Sequence, residues 1–214
     1  MKKLLVSVVA IAFVFASCGK DDVTAPVITV PTDALVMDLG DNAAALKDVT
    51  AKDDQDGDLA TANIQIQGLD FVGKSTLTYS IADKAENVGT AKREVTIKAD
   101  KLFGGYAVVE KNDDNGTSMN YDVQVVKSGT SQTDLLMNNF YGYDNVKFSG
   151  TGNSTTLTME EYKAVKDGEN FAISGSASYK KGTTQYEIVT VTFKVVWDEP
   201  TWDDDNFTMT FSLR

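Results

Sequence analysis

The sequence has no histidine and a single cysteine, Cys18. Without an imidazole there is no Ser-His-Asp or Cys-His catalysis and no histidine-bound zinc, and one sulfur closes no intrachain disulfide. Proline is scarce, three residues in 214, so no part of the chain reads as an extended proline-rich linker. Positive charge is also short: 20 Lys and Arg stand against 31 Asp and Glu, a formal net charge of −11. A surface that acidic repels phosphate backbones, and no nucleic-acid partner is expected. What is present is ample apolar material, 42% of residues, enough for one large domain or two small ones with buried cores.

The first residues are built for export. Met1, Lys2 and Lys3 form a basic start, and residues 4–16 form an apolar run too short to span a bilayer as a helix. The run ends in Phe15-Ala16-Ser17-Cys18-Gly19. Small residues directly before a lone cysteine resemble a bacterial lipobox, although Phe15 stands where Leu is usual. The resemblance implies cleavage of residues 1–17 and lipid attachment at Cys18. Two or three acyl chains there would hold the protein stably at a membrane. Residues 18–24 then read as a lipidated tether. Its Gly19-Lys20-Asp21-Asp22 start resembles the short acidic export tag of surface-displayed lipoproteins of Bacteroidetes. The expected location is therefore the outer membrane, facing the cell exterior.

Residues 25–99 carry short strands. Val27-Ile28-Thr29-Val30 lies between Pro26 and Pro31, and Ile64-Gln65-Ile66-Gln67 alternates. Residues 75–82 place Leu77, Tyr79 and Ile81 on one face, and residues 92–98 repeat the pattern with Val95 and Ile97. Such spacing argues for a β-sandwich. Ala25-Pro26-Val27-Ile28, the acidic stretch Asp53-Asp54-Gln55-Asp56-Gly57-Asp58-Leu59, Val72-Gly73-Lys74-Ser75 running on to Tyr79, and Asp83-Lys84-Ala85-Glu86-Asn87 follow one order. Together they resemble a bacterial immunoglobulin-like domain, which in surface proteins is usually a spacer. Thr76 and Glu86 depart from its Tyr and Gly.

The acidic stretch also invites a calcium reading, since Asp54, Asp56 and Asp58 have the 1-3-5 spacing of a calcium loop. Leu59 sits where an EF-hand needs Gly, and Gln65 where it needs Glu. A solvated turn explains the stretch better, and no metal is expected.

Residues 100–214 offer eight strand candidates, near 103–110, 119–128, 133–141, 145–149, 154–160, 170–179, 185–197 and 206–213. Asn115-Gly116 and several other glycines mark hairpins between them. Strand seven is read with Val189, Val191, Phe193, Val195 and Trp197 on one face and Ile188 on the other. Residues 159–166 are read as compatible with a helical turn. Eight alternating strands suit an up-and-down antiparallel barrel. Gly104-Gly105-Tyr106-Ala107-Val108, Tyr121-Asp122-Val123-Gln124-Val125, Asn139-Phe140 and Ile173-Ser174-Gly175-Ser176-Ala177 resemble the lipocalin-like barrels of Bacteroidetes lipoproteins, Ala177 replacing a final Gly. The fold expected is all-β: an immunoglobulin-like sandwich followed by a lipocalin-like barrel.

Only carboxylates and lysines remain for acid–base chemistry. Their densest cluster, Asp198 to Asp205, reads as an exposed hairpin whose acids stay ordinary, so no catalytic residue and no cofactor are expected. Aromatic residues near predicted turns, Tyr141, Tyr143 and Trp202, are the candidates for ligand contact, because such faces stack on sugars or line apolar pockets. The expected function is non-enzymatic binding of a small molecule, a small apolar ligand or an oligosaccharide, through the barrel. The alternative is a structural or interaction role with a cell-surface protein partner, as accessory subunit or adhesin component.

Overall fold

The computed structural model describes residues 22–199 and 201–214. Cys18, the signal segment and most of the tether lie outside the described residues.

The N-terminal unit is made of two small sheets. Strands β1 (Val27–Thr29), β3 (Thr50–Asp53) and β4 (Gly57–Leu59) pair antiparallel in that order. Strands β2 (Leu35–Asp38), β5 (Gln65–Gln67), β6 (Gly73–Ala82) and β7 (Val88–Lys98) form the second sheet in the order β2-β7-β6-β5, with β2 parallel to β7. Leu77, Tyr79, Ile81, Val95 and Ile97 face inward, as their alternation implies, and meet Ile28 and Ala51 from the first sheet. A short helix, α1 (Asn42–Leu46), starts where the Asp41 carboxylate accepts from the Ala44 N–H at 3.0 Å. The buried Tyr79 hydroxyl donates to the carbonyl of Ala45 and fixes the helix against the sheet.

The C-terminal unit is a closed antiparallel barrel of eight strands with one extra strand. In chain order it contains β8 (Gly104–Asn112), β9 (Ser118–Lys127), β10 (Asp134–Asn138), β11 (Val146–Gly150), β12 (Thr156–Met159), β13 (Tyr162–Lys166), β14 (Glu169–Lys181), β15 (Tyr186–Trp197) and β16 (Asp205–Leu213). Consecutive strands pair from β8 to β12 and from β13 to β16, β16 returns to β8, and β12 closes the ring against β14, leaving β13 as the extra strand. Closure leaves the eight-strand ring no free edge.

Three local expectations are corrected. Residues 159–166 form no helical turn: β13 pairs with β14 from Tyr162↔Ile173 to Lys166↔Glu169, because Asp167 and Gly168, both with positive φ, turn the chain straight back. The hairpin at Asn115-Gly116 is longer than two residues. The Asn112 side-chain oxygen accepts from the N–H groups of Asp114 and Asn115, and so organises the whole of residues 113–117. The faces of β15 also switch. Register passes from Ser178↔Thr190 to Tyr179↔Ile188, leaving Val189 as an extra residue, so Ile188 is fully buried while Val189 is only partly covered.

The lower bore is filled by side chains. Val123, Leu135, Met137, Phe148, Leu157, Ile173, Ile188 and Val191 are all 0% exposed. A 3₁₀ turn at Asp100–Leu102 plugs the base with Leu102, whose carbonyl accepts from the Tyr106 hydroxyl at 2.9 Å.

The base is also where the two units lock. Tyr179, on the barrel, accepts from the Val72 N–H at 2.9 Å and donates to the carbonyl of Asp70 at 2.9 Å. Tyr186 bonds the Asp70 carboxylate. Main chain meets main chain where Gly152 N–H donates to Val72 O at 2.8 Å and Ala99 N–H donates to Gln132 O at 2.9 Å. A Cβ on Gly152 would lie 1.7 Å from the Lys74 carbonyl oxygen, and its φ is +74°. Glycine is required there for both reasons.

Gly152→Ala should therefore destabilise the fold, by about 2 kcal/mol from the strained φ alone and more from the clash, and lower the urea midpoint accordingly. Tyr179→Phe should cost about 1–3 kcal/mol by stranding the buried Val72 N–H. Urea denaturation of both variants checks these values, and a junction irrelevant to stability would leave both midpoints unchanged.

Candidate functional site

Four connections gather at the barrel end away from the N-terminal unit: residues 113–117, 139–145, 167–168 and 198–204. They surround a mouth whose floor is aromatic. The 139–145 connection is a tight hairpin, in which Phe140 N–H donates to Tyr143 O and Tyr143 N–H to Phe140 O. Tyr141 and Gly142 occupy its two central positions with φ of 52° and 80°, the signs a type I′ turn requires. A bulky tyrosine in the left-handed region is costly, and only a packed surrounding holds it there. That packing is present: the Tyr141 ring lies 5.0 Å from Phe207 and 5.5 Å from Phe193, which stack on each other at 4.9 Å.

Aromatic contacts continue around the mouth. Tyr143 meets Tyr162 and Phe171, Phe171 meets Trp197, and Trp197 meets Trp202 with centroids 4.6 Å apart. Phe140 is fully buried and closes the bore beneath. Of the three residues chosen from sequence, the structure brings Tyr141 and Tyr143 together, centroids 6.5 Å apart, in one cleft of about 570 Å³. Trp202 is 42% exposed, packs on Trp197 at another part of the rim and does not line that cleft. The cleft is rimmed by Asn120, Asn139 and Lys166. Among the described residues, the Asn120 amide and the Lys166 ammonium make no hydrogen bond or ion pair.

Beside this cleft, and sharing Met119 and Tyr141 with it, a smaller cavity of about 220 Å³ reaches into the bore. Its polar wall is Glu110, Asn112 and Asp205. Glu110 and Asn112 point inward from β8 and are 3% and 7% exposed. The Tyr121 hydroxyl donates to the Glu110 carboxylate, and Asn112 donates to Asp205 at 2.9 Å. Burial pushes the Glu110 carboxyl up, partly offset by the Tyr121 hydrogen bond. Burial, then the charges of Glu110 and Asp205, push the Tyr141 phenol up to about 12. The Tyr121 and Tyr141 phenols therefore keep their protons at neutral pH.

Sequence reasoning missed Glu110, and it grouped Asp205 with the exposed hairpin acids, whereas Asp205 is half-buried at the start of β16 and lines this cavity. The acids of the 198–204 hairpin are mainly exposed as expected, and Asp204 is held below the usual carboxylate range by Lys194, 2.6 Å away. A signal for Glu110 did exist: it occupies an inward position of the Tyr106, Val108, Glu110 alternation, where an apolar residue belongs.

The fold and site define an all-β protein: a closed eight-stranded barrel on a two-sheet unit, with an aromatic mouth at the far end. No protein-family model and no curated protein matches the sequence. Among solved structures, the lipoprotein BT2262 from Bacteroides thetaiotaomicron is similar at 15% identity and a TM-score of 0.33, over 86% of this chain and 99% of that one. The structure of CBM51-2 in complex with GlcNAc and INT domains from Clostridium perfringens ZmpB is similar at 16% identity and a TM-score of 0.26, over 88% of this chain and 44% of that one. Likenesses this distant establish no shared function.

Because Glu110 holds its proton above its ordinary 4.5, the folded state binds more protons than the unfolded one just above that pH. Stability from this group is full below about 4.5 and declines as pH rises through the folded value. Glu110→Gln, which keeps an acceptor for Tyr121, should gain on the wild type from pH 4 to 7 in urea melts. A constant difference across that range would mean that Glu110 is not perturbed.

Proposed function

We propose that this chain is an outer-membrane-anchored lipoprotein, facing the cell exterior, that binds a sugar unit or short oligosaccharide at the barrel mouth without turning it over. The observation that carries the reading is the Tyr141–Tyr143 cleft with uncommitted polar groups at its edge. Sugars present apolar C–H faces and a periphery of hydroxyls, so an aromatic floor with an amide and an ammonium at its rim matches both. An apolar ligand within the bore has less support, since side chains fill it. The lipobox-like segment supports the anchor. β6 also runs from the barrel base to the turn that carries the N-terminal segment, so the mouth faces away from that segment.

One observation favours a second reading. Glu110, raised and buried, shares a cavity with Asp205, and two carboxyls facing one cavity are the means of glycoside hydrolysis. It predicts release of reducing sugar that stops in Glu110→Gln; binding alone predicts none.

Calorimetric titration of the purified chain with neutral, acidic and amino oligosaccharides tests the binding reading. Tyr143→Ala should weaken the best ligand about tenfold or more. Tyr141→Asn, which tolerates the positive φ and so recovers part of the stability lost with the ring, should do the same in a chain that still folds. Absence of heat with every sugar class in the wild type would overturn it.

A further inference from the structure

We infer that Asp22, Asp53 and Asp54 form a calcium site that fastens the N-terminal segment to the two-sheet unit. One carboxylate oxygen from each lies within 4.8 Å of the others. Ligands 2.3–2.6 Å from a common ion are separated by at most about twice that distance, so the spacing fits a shared cation.

Asp53 supplies the independent observation. It is only 3% exposed, at the end of β3, and its Oδ1 accepts from the N–H groups of Gln55 and Asp56 at 2.9 and 2.8 Å. Its Oδ2 is buried and has no hydrogen-bond donor among the described residues. A buried carboxylate oxygen with no donor, on a residue clustered with two further carboxylates, lacks the compensation that buried charge requires. Lys84 does not supply it: its ammonium and its backbone N–H are both on Asp56, at 2.7 and 2.8 Å.

A hard dication supplies that compensation. The donor set is entirely oxygen, which selects calcium or magnesium over softer metals. Asp22 is half-buried and Asp54 exposed, so water has access to complete the shell. Donors from two separated stretches and an irregular shell suit calcium, which accepts six to eight oxygens, better than magnesium with its strict octahedron. This set differs from the 1-3-5 loop: Asp56 is committed to Lys84, and Asp58 is not among the clustered acids. Asn87 prepares the site by donating to the Asp22 carbonyl at 3.1 Å and to Asp83 at 2.8 Å, which holds the segment against the turn after β6.

The test uses the full chain, purified in detergent and stripped with a chelator, melted with and without 10 mM calcium chloride. A site of extracellular affinity, about 0.1–1 mM, should raise the midpoint by about 3 °C or more. Magnesium at the same concentration should give a smaller shift. Asp22→Ala changes only the terminal segment, so it should keep the chelated midpoint and lose the calcium shift. Asp53→Asn should lose it too. Calcium should also slow limited proteolysis near residue 22 in the wild type but not in Asp22→Ala. No shift in the wild type, or one that survives Asp22→Ala, would overturn the site.

Discussion

The arrangement depends on the stretch from Asp70 to Lys74, which serves two structures at once. It leads into β6 of the N-terminal unit, and its main chain also bonds the turn after β11 and the hydroxyl of Tyr179. Backbone-to-backbone contact of this kind admits no side chain between the partners, which is why Gly150 and Gly152 stand opposite Val72 and Lys74. Few positions on a surface can meet so closely. The barrel base is thereby committed to the N-terminal unit, and only the opposite end is free to present a concave surface.

Within the barrel, polarity follows the same axis. At the base, Leu102, Tyr106 and Ile188 close the bore, and the Tyr106 hydroxyl is satisfied by backbone groups. Higher up, Phe140, Phe193 and Phe207 form a partition. Beside it the inward positions of β8 and β9 change to Glu110, Asn112 and Tyr121, with Asn112 opposite Phe207, and each is hydrogen-bonded to another polar group. Burying these groups is tolerable only as a connected set, and they lie where solvent can still reach one wall.

Much of this was legible in the sequence. Long alternations such as residues 75–82 and 206–213 identify their strands and inward faces, because a period of two leaves little choice once one face is buried. The strands β2, β3 and β4 were not legible, since three or four residues carry too little alternation to read. Nor was the bulge at Val189, which arises from its pairing with β14 and inverts the apparent faces of β15 locally. At the mouth, Tyr141 and Tyr143 stood out as aromatics near a turn between two predicted strands, and the structure brings them into one cleft. Glu110 was overlooked because attention went to dense acidic stretches, whereas a lone acid at an inward position is the rarer event. Proximity between Asp22 and the 53–54 pair is a tertiary fact with no local signature.

β6 and β7 lead from the N-terminal end to the junction, and β14 and β15 from the junction to the mouth. A pull on something held at the mouth, resisted at the N-terminal end, would act along these ladders. Hydrogen bonds between adjacent strands would then be loaded side by side and in shear, not peeled singly. β14 and β15 pair over eleven positions, whereas the junction is held by a handful of bonds around Val72, Ala99 and two tyrosines. β1, the first strand such a pull would reach, pairs with β3 over only three positions, so under tension that small sheet and the seam are the weak links while the barrel ring stays closed.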